Sequence, residues 1–495
     1  MTKLLNDVVI NAHDAAAHRE RRNVATRVER HRRRTLRALA LFAALAVMCA
    51  GCDWQMFGYG PAHTSFNPTE SAISVGNVAG LVRRYPPSDG NGCGPETCSS
   101  PAVAQGSVYV GTASGDLVAR DAGTGSLQWS GHTGAPVYSS PAVVDGVVYV
   151  GSDDSKLHAF DAAGITNCSG SPRRCAPLWT ANIPGKVRSS PTVANGVVYV
   201  GSEDQRLYAF SAAGNTNCAG SPKVCDPLWK TVILASAVGT PAVADGVVYV
   251  SAGLLFAFDA AGALKCSGSP KICAPLWDSG FYGPQTSPAV ANGVVYVGGG
   301  KGLWAFSAAG TTNCSERPHP FNPNVLATVC DPLWAGSVPA VNVKAAPAIA
   351  NGVVYISGDD FSVFDSAGYV LLAFDATGMT NCRVIGSEKV CAPLWTAQQQ
   401  LGTFQGSWSP AVANGVVYVT DQWYADYFFG FSGIHAFDAT GTTNCSGIPK
   451  TCSPLWSDVI AGGALGSPLQ VSSPVVANGG VYLNAGPIYK FALPS

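Results

Sequence analysis

Charge is what this 495-residue chain is short of: only 12% of its residues are Asp, Glu, Lys or Arg, and they cancel to a formal net charge of −1. Disordered chains have the opposite composition, so a 47% hydrophobic content excludes that class and requires a large core. Long apolar runs are missing too. The stretch Ala38–Met48 is too short to span a bilayer comfortably as a helix. The chain also lacks a G-x-S-x-G elbow, an H-E-x-x-H pair, a phosphate-binding glycine loop and any paired carboxylates at a recognisable spacing, which removes the common hydrolase, zinc-protease and nucleotide-binding signatures. Histidine is thin beyond residue 52. His63, His132, His158, His319 and His435 are scattered, and His158 and His435 occupy ordinary repeat positions, which reads as packing or surface rather than catalysis.

What the chain has in quantity is turn and strand chemistry, with 56 Gly and 33 Pro. Residues 1–51 are a different text. They hold ten Lys/Arg and four Asp/Glu, with HRRRTLR at 31–37 ahead of Ala38–Met48, the basic-then-apolar order of an export signal. The VMCAGC that ends the run resembles the lipobox of bacterial lipoproteins, with Cys49 where Leu is usual. That resemblance implies cleavage before Cys52, lipidation of Cys52, and a membrane-anchored lipoprotein at the cell envelope, on the periplasmic or extracellular side. A plain cleaved signal near Ala44-Leu45-Ala46 and an uncleaved anchor are the alternatives. Residues 1–51 are therefore an export segment and 52–495 a single domain. Beyond residue 52 there are 20 Lys/Arg against 27 Asp/Glu, an acidic balance that argues against a nucleic-acid partner and against a polybasic membrane patch.

Fourteen of the sixteen cysteines fall into sequence-adjacent pairs: Cys93 and Cys98, Cys168 and Cys175, Cys218 and Cys225, Cys266 and Cys273, Cys314 and Cys330, Cys382 and Cys391, Cys445 and Cys452. An even count, regular spacing and an export signal favour seven local disulfides. No His stands near a pair as a zinc finger requires, so no metal site is expected.

The pairs belong to a repeat. Each unit opens on an SPAV-like strand A and turns at Asp-Gly or Asn-Gly, the strongest short hairpin signals. It continues as VVYVG, then as LHAFDA or a variant of it, and begins a fourth strand at PLW. Strand A prolines at 101, 141, 191, 241, 288, 347, 410 and 474 mark eight units. The last stops after strand C, while NVAGLVRRYPP at 77–87 reads as an orphan fourth strand. The expected fold is all-β: an eight-bladed β-propeller of four-stranded blades, its ring closed by an N-terminal strand.

Residues 119–129, ARDAGTGSLQW, carry the Ala-x-Asp-x-x-Thr-Gly-x-x-x-Trp pattern through Ala119, Asp121, Thr124, Gly125 and Trp129. This resembles the repeat of the quinoprotein-like (PQQ-like) β-propeller family, and DWQMFGYGPAHTSFNP at 53–68 resembles the leader of its exported members. The resemblance implies that Trp129, Trp179, Trp229, Trp277, Trp334, Trp395 and Trp456 dock neighbouring blades. It also raises pyrroloquinoline quinone with calcium as a cofactor. Against that, the chain has no adjacent Cys-Cys pair and no identifiable calcium set, so no cofactor is expected and the oxidoreductase of alcohols or sugars is kept as the alternative.

In such blades the A-to-B and C-to-D turns share one face, here crowded by the cysteine inserts. Long B-to-C insertions at 357–370 and 420–433 and the D-to-A loops fall on the other. There Phe361, Phe404, Trp408, Trp423, Tyr424, Tyr427 and Phe428 form either a binding surface or the packing of long loops. Asp359, Asp360, Asp421 and Asp426 are either solvated loop acids or oxygen ligands for calcium. The functional expectation is a monomeric binding or scaffold module for an envelope protein or carbohydrate partner. It resembles the propeller lipoprotein of the outer-membrane assembly machinery.

Overall fold

Asn195 and Gly196 show why the repeat folds as it does: both take positive φ, 51° and 76°, which sets the tight turn whose twist matches its two strands. Asp145-Gly146, Asn292-Gly293 and Asn414-Gly415 do the same in other units. The structure, a computed structural model, describes residues 53–494 apart from 85–98, 234–238, 301, 320–321, 338–340, 361–367, 400–402, 427–428 and 465–469. Cys52, Cys93, Cys98, Phe361, Tyr427 and Phe428 lie outside the described residues.

The first blade runs outward from the axis as Ala102–Ala104, Ser107–Gly111, Asp116–Asp121 and Leu127–His132, all antiparallel. No α-helix occurs among the described residues. The expectation of eight like blades of four strands is corrected by the sheets. Of the eight sheets, seven take their four core strands from one continuous stretch each, but every one of these is wider than four strands. In six of them the cysteine insert of the following unit folds as a hairpin and adds to the outer strand. Arg173–Cys175, for example, lies parallel to Leu127–His132, with Arg173 opposite Trp129 and Cys175 opposite Gly131. The seventh blade is widened by Phe66–Asn67 and Thr403–Ser407 instead. The remaining sheet is a closing piece of four strands drawn from both ends of the chain: Val475–Ala477, Gly480–Asn484, Ile488–Ala492 and, outermost, Val82–Arg83. The architecture is thus seven contiguous blades and one closing sheet. The physical reason is that an outer strand with a free edge accepts any nearby strand, and the cysteine hairpin is the nearest.

Where the spacing led to an expectation of seven disulfides, six are present among the described residues. Cys168 is bonded to Cys175, Cys218 to Cys225, Cys266 to Cys273, Cys314 to Cys330, Cys382 to Cys391 and Cys445 to Cys452. The seventh expected bridge, Cys93 with Cys98, falls on residues outside that set. In each of the six, the two cysteines face one another across a hairpin, as Cys218 faces Cys225 and Cys445 faces Cys452. The second cysteine of each, Cys175, Cys225, Cys273, Cys330, Cys391 or Cys452, is buried, on the strand that joins the preceding blade. The bridges are local in sequence, as expected, but they lie within the hairpins that join one blade to the next.

Inner packing joins the same neighbours. Trp129 Nε1 donates to the Ala162 carbonyl of the next blade at 3.0 Å, and Tyr109 donates its hydroxyl to the same oxygen at 3.1 Å. Trp179 with Tyr149, Trp229 with Tyr199, Trp277 with Tyr249 and Trp334 with Tyr296 repeat the arrangement on Ala212, Ala260, Ala308 and Ala376. The indole needs a residue without Cβ opposite it: a Cβ on Gly164, which sits at φ 62°, would fall 2.2 Å from Trp129 Cδ1. Trp395 is buried against Gly441 in the same way. Trp456 departs from the pattern; only partly buried, it meets Phe491 of the closing sheet edge-on at 5.2 Å.

Candidate functional site

The innermost strand of each blade turns an unpaired edge of N–H groups toward the axis, and buried backbone donors must be satisfied. The leader, residues 53–67, satisfies them. Trp54 exchanges two 2.8 Å backbone bonds with Val103, and Val143 donates to the Gln55 carbonyl at 2.7 Å. Val243, Val290, Ile349 and Val412 donate in turn to the carbonyls of Pro61, Ala62, Thr64 and Ser65 at 2.7 to 2.8 Å. Asn67 then reaches the Val476 carbonyl of the closing sheet through Nδ2 at 2.8 Å. Trp54, Met56, His63, Ser65 and Asn67 are all buried. The leader therefore circles the axis, bonding to seven of the eight sheets. Its entry and exit share the face of the A-to-B turns: Asp53 accepts from Gln105 N and Asn478 Nδ2, and Glu70 accepts from Gly479 N.

His63 serves the remaining blade. Its Nε2 lies 3.0 Å from Thr192 Oγ1, and because that hydroxyl donates to the Pro241 carbonyl at 2.6 Å, the imidazole is the donor. Burial pushes its pKa down to about 3, opposed by the Pro288 carbonyl, which would accept from a protonated ring. His63 is thus a neutral structural donor at the centre of the ring.

At the opposite end of the channel a second ring runs from blade to blade through the residue before each strand A. Ser100 N donates to Ser140 Oγ at 3.0 Å, Ser140 N to Ser190 Oγ at 2.9 Å, Ser190 N to Thr240 Oγ1 at 3.2 Å and Thr240 N to Ser287 Oγ at 3.1 Å. Ala346 N and Ser409 N continue it to Ser409 Oγ and Ser473 Oγ, both at 3.1 Å. The sequence assigned nothing to these hydroxyls, and it marked 53–68 as a leader by resemblance without a place on the axis. The signal was there in the recurrent Ser-Ser-Pro.

On that face, the insertion 420–433 lies largely on paired strands, Val416–Asp426 with Phe429–Asp438, flanked by Thr403–Ser407. Phe404 pairs with Trp423 and Thr403 with Tyr424 across those strands. Trp408 is partly buried, packed on the core, and its carbonyl accepts from Ser357 Oγ at 2.8 Å. Asp359 pairs with Lys344 Nζ at 2.7 Å, and Asp421 meets His435 Nε2 through Oδ2 at 3.0 Å while its Oδ1 is buried with no hydrogen-bond partner. Among the described residues no three His, Cys, Asp or Glu side chains gather as a metal site requires.

His435 Nδ1 also meets Ser457 Oγ at 2.8 Å, which completes a Ser, His and Asp chain with an exposed serine. The same strand-C position pairs His158 with Asp154 at 3.0 Å and Tyr208 with Asp204 in other blades, so the arrangement is the repeat's way of seating a buried aspartate. The C-to-D turns use aspartate differently. Burial opposes ionisation of Asp375, but the N–H groups of Thr380 and Thr377 and their hydroxyls hold it down to about 2. Between successive cysteine hairpins lie two open grooves. One, of about 750 Å³, is lined by Phe281, Trp304, Asp331, Glu388 and Lys389; the other, of about 930 Å³, includes Tyr208, Lys230 and Lys271.

The family described as "Outer membrane protein assembly factor BamB" matches residues 79–166 and 173–217. Among solved structures, BamB from Moraxella catarrhalis aligns over 85% of this chain and 98% of its own, at 13% identity and a TM-score of 0.50. Quinohemoprotein alcohol dehydrogenase ADHIIG from Pseudomonas putida HK5 aligns over 91% and 81%, at 12% identity and 0.57. The quinohemoprotein alcohol dehydrogenase of Comamonas testosteroni aligns over 90% and 81%, at 13% identity and 0.56. No curated protein matches the chain in sequence. At these identities the structural likenesses show the fold, a β-propeller, and the family match adds a PQQ-like repeat over residues 79–166 and 173–217.

The His63 shift sets a pH dependence. A folded pKa near 3 against an unfolded value near 6.5 gives stability that is fully present above pH 6.5 and lost as pH falls toward 3. The expected slope is up to about 1.4 kcal/mol per pH unit in that window. Unfolding midpoints of the native chain and of His63→Gln, measured from pH 7 to 4, should converge as pH falls; parallel curves would contradict the assignment.

Proposed function

We propose that this protein is an exported propeller, anchored at the cell envelope through Cys52, that works as a binding and scaffold module. The observation that carries the reading is the leader: residues 53–67 circle the axis, where a ring of blades offers a pocket, and are buried and hydrogen-bonded to the blades. Six disulfides support passage to an oxidising compartment. The match to a family named for outer-membrane assembly supports a partner-binding role in the envelope. The partner is an envelope protein or carbohydrate, and Trp423, Tyr424 and Phe404, carried on the paired strands of blade seven, remain the proposed contact residues.

Pyrroloquinoline quinone with calcium does not fit this reading. The leader circles the axis beside the A-to-B turns, Asp359 is paired with Lys344 and Asp421 Oδ2 with His435, and among the described residues no three His, Cys, Asp or Glu gather around the remaining Asp421 oxygen. The quinohemoprotein dehydrogenases share the fold, and a fold does not carry a reaction.

Purified protein given the quinone and Ca²⁺ should show no bound-cofactor spectrum and no dye reduction with alcohols or sugars; either signal would overturn the scaffold reading. Cys52→Ser should move the protein from the membrane to the soluble fraction of expressing cells, and an unchanged membrane fraction would refute the anchor.

A further inference from the structure

The cysteine inserts, spent in the fold on joining blades, also differ from the rest of the surface in two ways. The first is apolar exposure. Ten of the fifteen exposed large hydrophobic side chains among the described residues lie on the six inserts, which make up less than a quarter of residues 53–495. Ile165 and Met379, at one repeated position directly after the C-to-D glycine, are 71% and 79% exposed, Leu264, one place further on in its own unit, is 62% exposed, and Ile448 at a hairpin tip is fully exposed. Apolar side chains so placed contribute nothing to the core and cost solubility unless something covers them.

The second is charge. The inserts hold nine of the 20 Lys/Arg beyond residue 52 but only four of the 27 Asp/Glu, a net of +5 on a domain that is acidic as a whole. Arg173, Arg174, Lys223, Lys271 and Lys450 sit at the hairpins and are exposed. Of the four acids, Asp331 is engaged by both terminal nitrogens of Arg317 at 2.7 and 3.0 Å. Among the turn acids on the same face, Asp161, Asp375 and Asp438 are turned onto backbone N–H groups of their own loops.

A third observation gives the occupant. Asp53, the residue that follows Cys52, is fixed on this face between the A-to-B turns of the first blade and the closing sheet. Exposed aliphatic tips, a surrounding basic ring and the entry of the chain on one face are the features of a surface that rests on anionic lipid.

We infer that the stapled rim is a membrane-contact surface, with the aliphatic tips entering the headgroup boundary of an anionic bilayer and the hairpin Lys and Arg side chains meeting its phosphates. The opposite face, with the blade-six and blade-seven strands, then points away from the membrane and is free for a partner. This deepens the envelope reading and rests on it only in needing a membrane within reach; it does not need the acyl anchor. It also revises the expectation from composition that no basic patch exists, since the whole-chain balance conceals one.

The test uses the full chain as Cys52→Ser, which removes acylation, mixed with vesicles of phosphatidylcholine alone or with one quarter phosphatidylglycerol. Amide hydrogen exchange in peptides covering 377–393 and 440–454 should slow roughly tenfold on the anionic vesicles only. The variant Ile165→Asp, Leu264→Asp, Met379→Asp, Ile448→Asp should keep its melting temperature and lose that slowing. Protection confined to residues 1–51, or appearing on 416–438 instead, would overturn the rim and leave the Cys52 reading standing. Equal protection in the four-residue variant would overturn it as well.

Discussion

Every sheet edge in a ring of blades must be paired or shielded, and most of this structure follows from how that is done. The inner edges are closed by the leader, whose carbonyls take the N–H groups of Val103, Val143, Val243, Val290, Ile349 and Val412. Six outer edges are closed by the disulfide hairpin of the next unit. The last sheet receives Val82–Arg83 as its outer strand, and Arg83 reaches on to blade seven, where its guanidinium grips Asp458. No blade is complete without residues from elsewhere in the chain. Buried β-edges left open would cost the full desolvation of each donor and invite association with other chains.

Local chemistry made the strands legible in the sequence. Asn-Gly and Asp-Gly turns, the Val/Tyr alternation and the cysteine spacing are short-range signals, and each hairpin formed where they stood. What was not legible depended on distance. Nothing in TNC…C…PLW shows that the insert pairs with the preceding blade rather than closing on itself, so four-stranded blades were expected where six strands occur. Likewise, 53–68 was recognisable as a leader by resemblance, but its place on the axis depends on bonds to residues up to four hundred positions away. His63 read as scattered for the same reason.

The candidate site was less legible than the fold. The aromatics on the insertions lie partly on paired strands and partly outside the described residues, so the long segment 420–433 is better understood as an extension of blade seven than as a flexible loop. Asp359 and Asp421, set down as loop acids or calcium ligands, are buried partners of Lys344 and His435. Composition misled in one more respect: an acidic total hid a basic, apolar rim. The two faces are thus chemically distinct, and the leader ties together the blades that carry both.

The central claim is that the inner edges of the blades are closed by the chain itself. Native-state hydrogen exchange resolved to single residues tests it most directly. The amides of Val143, Val243, Val290, Ile349 and Val412 should be among the slowest to exchange, because the leader must leave the axis before they open. Exchange of these five at the rate of exposed loop amides would mean that the channel stands open, and would contradict the account.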